Sequence, residues 1–270
     1  MGRYMQLSQD NLDHFGADAV KSYSAGHLAA MMVVIKTMGA DAFARRAALE
    51  QAYAINAFAD HFLTDLFSAG HIRTPRRALV EKMPNDPFSA GLCALVMHDE
   101  ENAAGLNVAN AAGDRWKAYG DGYLLDAGRY PGVVDDRANL AMVRAAVKAS
   151  IAEVYDVWTT GVIPSSYASL ALVPVSPPDP TDRSNPSPLF CMIDDVVAIR
   201  SDGAGGIGGP KAYVWDKDWS PLGKGIHAGL GIVTSAIEDW IKKVGRIPVW
   251  DTPDFPPTNF EPPKPPAQAL

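Results

Sequence analysis

Residues 41–71 read Asp41-Ala-Phe-Ala-Arg-Arg-Ala-Ala-Leu-Glu50-Gln-Ala-Tyr-Ala-Ile-Asn-Ala-Phe-Ala-Asp60-His-Phe-Leu-Thr-Asp65-Leu-Phe-Ser-Ala-Gly-His71. Alanine, the strongest helix former, recurs throughout. The other apolar positions fall at three- and four-residue spacing through Phe43, Leu49, Ala52, Tyr53, Ile55, Ala59, Phe62, Leu63 and Leu66. That period predicts one long helix over about 41–68, with Gly70 at its C-terminus.

The pattern extends in both directions. Residues 1–70 read as helices, with no proline before Pro75 and with Gly16, Gly26 and Gly39 as breaks or caps. Residues 72–90 read as a loop or broken helix, and a short helix is expected around Gly91 to Met97. Residues 102–125 are rich in Gly, Asn and Asp and predict turns and irregular structure. An amphipathic helix is expected over 134–160, with Leu140, Val143, Val147, Ile151, Val154 and Trp158 on one side. The fold class is therefore mainly α.

Beyond about residue 162 the composition changes. Six prolines fall in 172–190, so 163–190 reads as a Pro-rich linker. Short apolar runs such as Met192 to Ile199 and Ala212 to Trp215 predict a small β-containing region over 191–251, and 252–270 reads as an extended Pro-rich tail. Residues 1–162 then read as one helical domain, the part of the chain expected to carry any functional site. Gly203 to Gly209 lacks the Lys-Ser/Thr ending of a phosphate cradle and reads as a plain loop.

Composition narrows the function. Apolar residues make up 47% of the 270, enough for a sizeable core, and the net charge is −7. A surface that tracks a polyphosphate needs an excess of Lys and Arg, so nucleic-acid binding is not expected. Cys93 and Cys191 are the only cysteines, and no spacing suggests a thiolate metal site. No apolar signal segment opens the sequence, and the longest apolar run, Leu28 to Ile35, is too short to span a bilayer. The expectation is a cytoplasmic protein or one exported without a signal. No motif marks a protein partner.

Five of the six histidines, His14, His27, His61, His71 and His98, lie in the first hundred residues. His61 and Asp65 stand four apart, so on a helix they share a face one turn apart. An imidazole and a carboxylate so placed grip one divalent ion, and His71 can fold back toward them from beyond Gly70. Nitrogen and oxygen ligands without thiolates suit zinc in a hydrolytic site. Asp60 is a candidate acceptor behind His61. The same spacing also suits a helix with a buried polar network and a capping histidine.

Asp13 and His27 are fourteen apart, about 21 Å along an unbroken helix. Either Gly16 ends a first helix or the two serve different ions; Asp13 and His14 also suit a helix cap. His98 with Asp99 suits the completion of a metal shell, whereas Glu100 and Glu101 read as a solvated loop. Arg73, Arg76 and Arg77 suit a phosphate, or a solvated basic turn.

The stretch Ala54 to Arg76, centred on His61-Phe-Leu-Thr-Asp65 and His71, resembles the bacterial phosphatidylcholine-hydrolysing phospholipase C family of Pseudomonas and Legionella. That family is distantly similar to the zinc-dependent phospholipase C and P1 nuclease group. The resemblance covers roughly residues 4–125 and takes in Asp13-His14-Phe-Gly16, Gly26-His27, and His98-Asp99 through Asn102 to Asp121. It implies a helical catalytic domain that holds two or three zinc ions and acts on a phospholipid, with the membrane surface as a partner.

The resemblance further implies metal ligands among His61, Asp65, His71, His27, His14, Asp13, His98 and Asp99. His61 and Asp65 are expected at a central ion, with His27 added to it and with His71 and His98 at a neighbour. Asp13 and Asp65 are the expected catalytic carboxylates, and Arg73 and Arg76 the phosphate contacts. Two departures stand out. Asn102 occupies the place of an acid four residues after the last histidine, for which Asp99, Asp114 or Asp121 are substitutes. No histidine precedes Asp13, so the resemblance implies an N-terminally shortened relative. A nuclease of the P1 type and a non-catalytic metal- or lipid-binding relative are the alternatives.

Overall fold

The computed structural model describes residues 11–82, 87–120, 124, 136–176, 184–185, 188–193, 196–200 and 249–250. These residues are mainly helical. In chain order they form α1 (Gly16–Ile35), α2 (Ala42–Asp65), α3 (Ala69–Ile72), α4 (Arg76–Lys82), α5 (Pro87–Ala104), β1 (Leu106–Ala109), β2 (Arg115–Ala118), α6 (Arg137–Thr160), α7 (Ala168–Ala171), β3 (Phe190–Ile193), β4 (Val196–Arg200) and β5 (Val249–Trp250). Asp121, Gly203 to Gly209, the run Ala212 to Trp215 and the tail 252–270 lie outside the described residues.

The long central helix begins where Asp41 caps it, its carboxylate accepting from the Ala44 amide at 2.8 Å. It ends at Asp65, earlier than the apolar period suggests. Phe67 and Ser68 turn back to bond the carbonyls of Thr64 and Asp65, and the chain enters the one-turn α3. Helices α1, α2 and α6 pack together around Tyr23, Met31, Leu63, Phe67, Val154 and Val157. At the α1–α2 contact a Cβ on Gly26 would lie 2.8 Å from the Cβ of Ala59, so glycine is what lets the two backbones approach. Phe43, by contrast, is 85% exposed and sits outside the core.

The largest differences from expectation lie in 87–118. Helix α5 runs to Ala104, well beyond Met97, because Glu101 and Asn102 face inward onto 68–73 rather than outward into water. Leu106–Ala109 and Arg115–Ala118 form an antiparallel hairpin where irregular structure is expected. Asn110 and Asp114 bond each other across the turn, and Gly113 supplies a φ of 93°. The hairpin packs on α3 through Leu106, Val108 and Ala118. Trp116 donates to Asn139 of α6 at 2.8 Å, and Asn139 donates to the carbonyl of Phe67. These bonds fix the segment that leads from Asp65 to His71.

In the C-terminal part β3 and β4 pair antiparallel and β5 adds to β4 in parallel. Among the described residues no helix is long and apolar enough to cross a membrane.

Candidate metal centre

His14 stands in the turn that precedes α1, opposite the end of α2. Its Nδ1 lies 2.5 Å from Oδ2 of Asp65 and 3.2 Å from Nε2 of His61. His61 Nε2 in turn lies 3.7 Å from the same Asp65 oxygen. Helix geometry explains the His61–Asp65 half of the group, since the two residues are one turn apart. Packing of α1 on α2 brings His14 to them. The ring of Phe62 lies 5.1 Å from His14 and 5.5 Å from His61, walling one side with apolar surface. His61 is 54% exposed, whereas His14 and Asp65 are 21% and 16% exposed, so the group opens to solvent on one side.

Ligand atoms about 2.0–2.2 Å from one zinc ion at tetrahedral angles stand roughly 3.3–3.6 Å apart. The three separations bracket that range, and two imidazole nitrogens with one carboxylate oxygen are a donor set zinc accepts. The shortest pair is a hydrogen bond whose proton an ion would displace. Three protein ligands leave a fourth position for water, as in hydrolytic sites. The residues present are thus of the types that hold a divalent ion, with His14 and Asp65 closer together than two ligands of one ion stand. Among the described residues this is the one place where three His, Cys, Asp or Glu side chains converge within 4.8 Å.

His71 lies beside this trio rather than in it. Its Nδ1 donates to the carbonyl of His14 at 2.8 Å and its ring stacks on Phe15 at 4.4 Å. That bond holds the backbone of the turn that carries His14 and directs the ring's lone pair to Nε2. His98 is its neighbour, with the ring centroids 5.1 Å apart. Asp99 accepts from Nδ1 of His98 at 2.9 Å and orients that imidazole rather than joining the trio. Asp13 is half-exposed and 3.6 Å from Nε2 of His14, on the nitrogen that faces away from Asp65.

His27 is not a ligand of this group, contrary to the expectation. It is fully buried on the inner face of α1. Its Nδ1 lies 2.5 Å from Oδ1 of Asn56, and its Nε2 lies 3.1 Å from Glu153 of α6. Asp60 also turns inward, accepting from Ser150 at 2.7 Å and from Asn56 at 3.2 Å. Burial raises the pKa of the Asp60 carboxyl against the opposing bond from Ser150. Asp60 therefore ties α2 to α6 and does not back His61. Glu153 completes the network by accepting from the Ser169 hydroxyl and the Ala168 and Ser169 amides.

Gly70 is not a cap but a point of close approach. A Cβ there would lie 2.6 Å from the His98 ring and carbonyl and 2.8 Å from Asn102. Asn102 accepts from the Gly70 amide at 2.7 Å and from Ser68 at 3.0 Å, while its amide nitrogen lies 3.1 Å from Nε2 of His98. The residue in the acid's place thus tethers α3 to α5.

Arg73 pairs with Glu101, Nε to Oε1 at 2.5 Å, with both side chains 3% exposed. Its Nε is thus engaged by that carboxylate. Burial pushes the Glu101 carboxyl up to about 7 against the pull of Arg73. A proton on Oε2, which has no hydrogen-bond partner among the described residues, leaves Oε1 to accept from Arg73. Between its ordinary value of 4.5 and about 7 the folded chain keeps a proton that the unfolded chain has released. Stability is therefore expected to fall as pH rises through that window and to level above it. Denaturant titrations across the window check the slope, and Glu101→Gln is expected to flatten it.

No family model, no curated protein and no solved structure matches the chain.

Proposed function

We propose that the chain hydrolyses the phosphodiester of phosphatidylcholine or a related phospholipid to diacylglycerol and a phosphorylated head group, with zinc held by His14, His61 and Asp65. The observation that carries this reading is the convergence of those three side chains on a solvent-open face, their ligand atoms within 4.8 Å of one another. The resemblance of residues 54–76 supports the substrate class.

When bound, zinc stabilises charge on the phosphoryl oxygens and lowers the pKa of a water it holds. The chain's own residues do the rest. Asp65 carries the negative charge of the site and accepts from His14. His71 holds the turn in which His14 sits. Phe62 excludes water from the inner side of both imidazoles. Asp13, 3.6 Å from the outward nitrogen of His14, is placed to orient that imidazole.

Metal analysis by mass spectrometry, with phosphatidylcholine hydrolysis assayed in mixed micelles, tests the reading. Chelation is expected to abolish turnover and added zinc to restore it. Full activity in chelator, or unchanged activity of His61→Ala, rejects it. Turnover of single-stranded nucleic acid in place of lipid would move the chain to the nuclease class.

A further inference from the structure

The three arginines that follow His71 have different surroundings. Arg73 is paired with Glu101. Arg77 bonds Asp18 at 2.6 Å near the surface. Arg76 is 4% exposed and makes no side-chain hydrogen bond or ion pair among the described residues. Its Nη1 is enclosed and meets no acceptor among the described residues. The guanidinium lies against α5 where that helix has no side chain: a Cβ on Gly91 would stand 3.8 Å from Nη1.

A guanidinium does not shed its proton, so it stays charged when enclosed. Enclosing one without a counter-charge costs several kcal/mol, which is why buried cations are found paired. Burial lowers the pKa of Arg76, and among the described residues no neighbouring carboxylate opposes it. Its flat fork of donors matches paired oxygens, and a tetrahedral oxyanion offers more charge than a carboxylate.

We propose that Arg76 anchors a binding site for a phosphate-type oxyanion at the contact of α4 with α5, beside Gly91 and distinct from the His14–His61–Asp65 group. Gly91 and His98 share a face of α5 seven residues apart, about 10 Å along the helix. An anion on Arg76 is thus a second ligand and not the phosphoryl group next to the imidazoles. The site does not depend on the metal reading.

Thermal unfolding of the full chain in chelator, titrated with inorganic phosphate against chloride at matched ionic strength, tests this. Phosphate is expected to raise the midpoint of the wild type saturably. Arg76→Met is expected to lose the response. Arg76→Lys, which keeps the charge without the fork, is expected to bind about tenfold more weakly and carries the test should Arg76→Met fail to fold. A tighter response to glycerol 3-phosphate than to inorganic phosphate would identify a lipid-type head group as the ligand; the reverse would identify the free ion. Equal responses in wild type and Arg76→Met, a wild-type response no larger than chloride or acetate produces, or loss of the response in His61→Ala would overturn the proposal. Absence of zinc from the purified chain would defeat the metal reading and leave this titration unchanged.

Discussion

Asp65→Asn is expected to lower the proposed phosphodiesterase activity by roughly a thousandfold, since metal-assisted charge stabilisation supplies several kcal/mol and each 1.4 kcal/mol is about tenfold. Asparagine has the shape of aspartate, and its carbonyl oxygen still accepts from Nδ1 of His14, 2.5 Å away in the wild type. What disappears is the negative charge that the group offers a dication. The variant should therefore fold with an unchanged melting temperature while its zinc content falls. Asp60→Asn is the matched control. That carboxylate precedes His61 in sequence but points at Ser150 and Asn56, so zinc content should not change. Steady-state hydrolysis of phosphatidylcholine, with zinc stoichiometry on the same samples, checks both. An Asp65→Asn chain that keeps its zinc and its rate would remove the carboxylate from the account.

The second large effect concerns stability. Glu153 faces buried His27 and the hydroxyl and amide of buried Ser169 between α1, α6 and α7, and also accepts from the amide of exposed Ala168. Glu153→Ala leaves the His27 and Ser169 donors without this acceptor in the core. Removing one member of a buried pair costs about 3–5 kcal/mol. For a chain of this size the melting temperature should fall by roughly 10 °C. Replacing both partners, as in His27→Leu with Glu153→Leu, should recover part of the loss, because the uncompensated imidazole is gone. Thermal and urea unfolding of the single and double variants test this; a Glu153→Ala chain that melts with the wild type contradicts it. Zinc content should be unchanged in all of them, which separates this network from the candidate metal centre.

The helices were legible where local signals agree. Alanine content, the Asp41 cap and the three-four apolar period specify α2, and the same period specifies α6 through Val143 and Val154. His61 and Asp65 were legible as a pair because helix geometry alone puts them together. The rest of the centre depends on contacts distant in sequence. His14 reaches Asp65 across 51 positions, and its spacing to His61 carries no helical meaning. His27 looked like a ligand because a histidine on an apolar face reads the same whether it meets a metal or a buried carboxylate. Its partner Glu153 lies 126 positions away. Glu101 read as a solvated acid for a related reason: only the fold shows Arg73 turned toward it. The β1–β2 hairpin did leave a trace, the alternation of Leu106 and Val108 before the Asn110–Asp114 turn, but the density of Gly, Asn and Asp around it masked the period.

The central claim is that the turn before α1 and the end of α2 together hold one zinc ion. A crystal of the full chain grown with zinc, with diffraction recorded on both sides of the zinc absorption edge, examines it directly. The claim predicts an anomalous peak about 2.0–2.2 Å from His14 Nδ1, His61 Nε2 and an Asp65 carboxylate oxygen. A zinc-loaded crystal in which the peak falls elsewhere, with His14 still bonded to Asp65 and His61 turned to solvent, would contradict it.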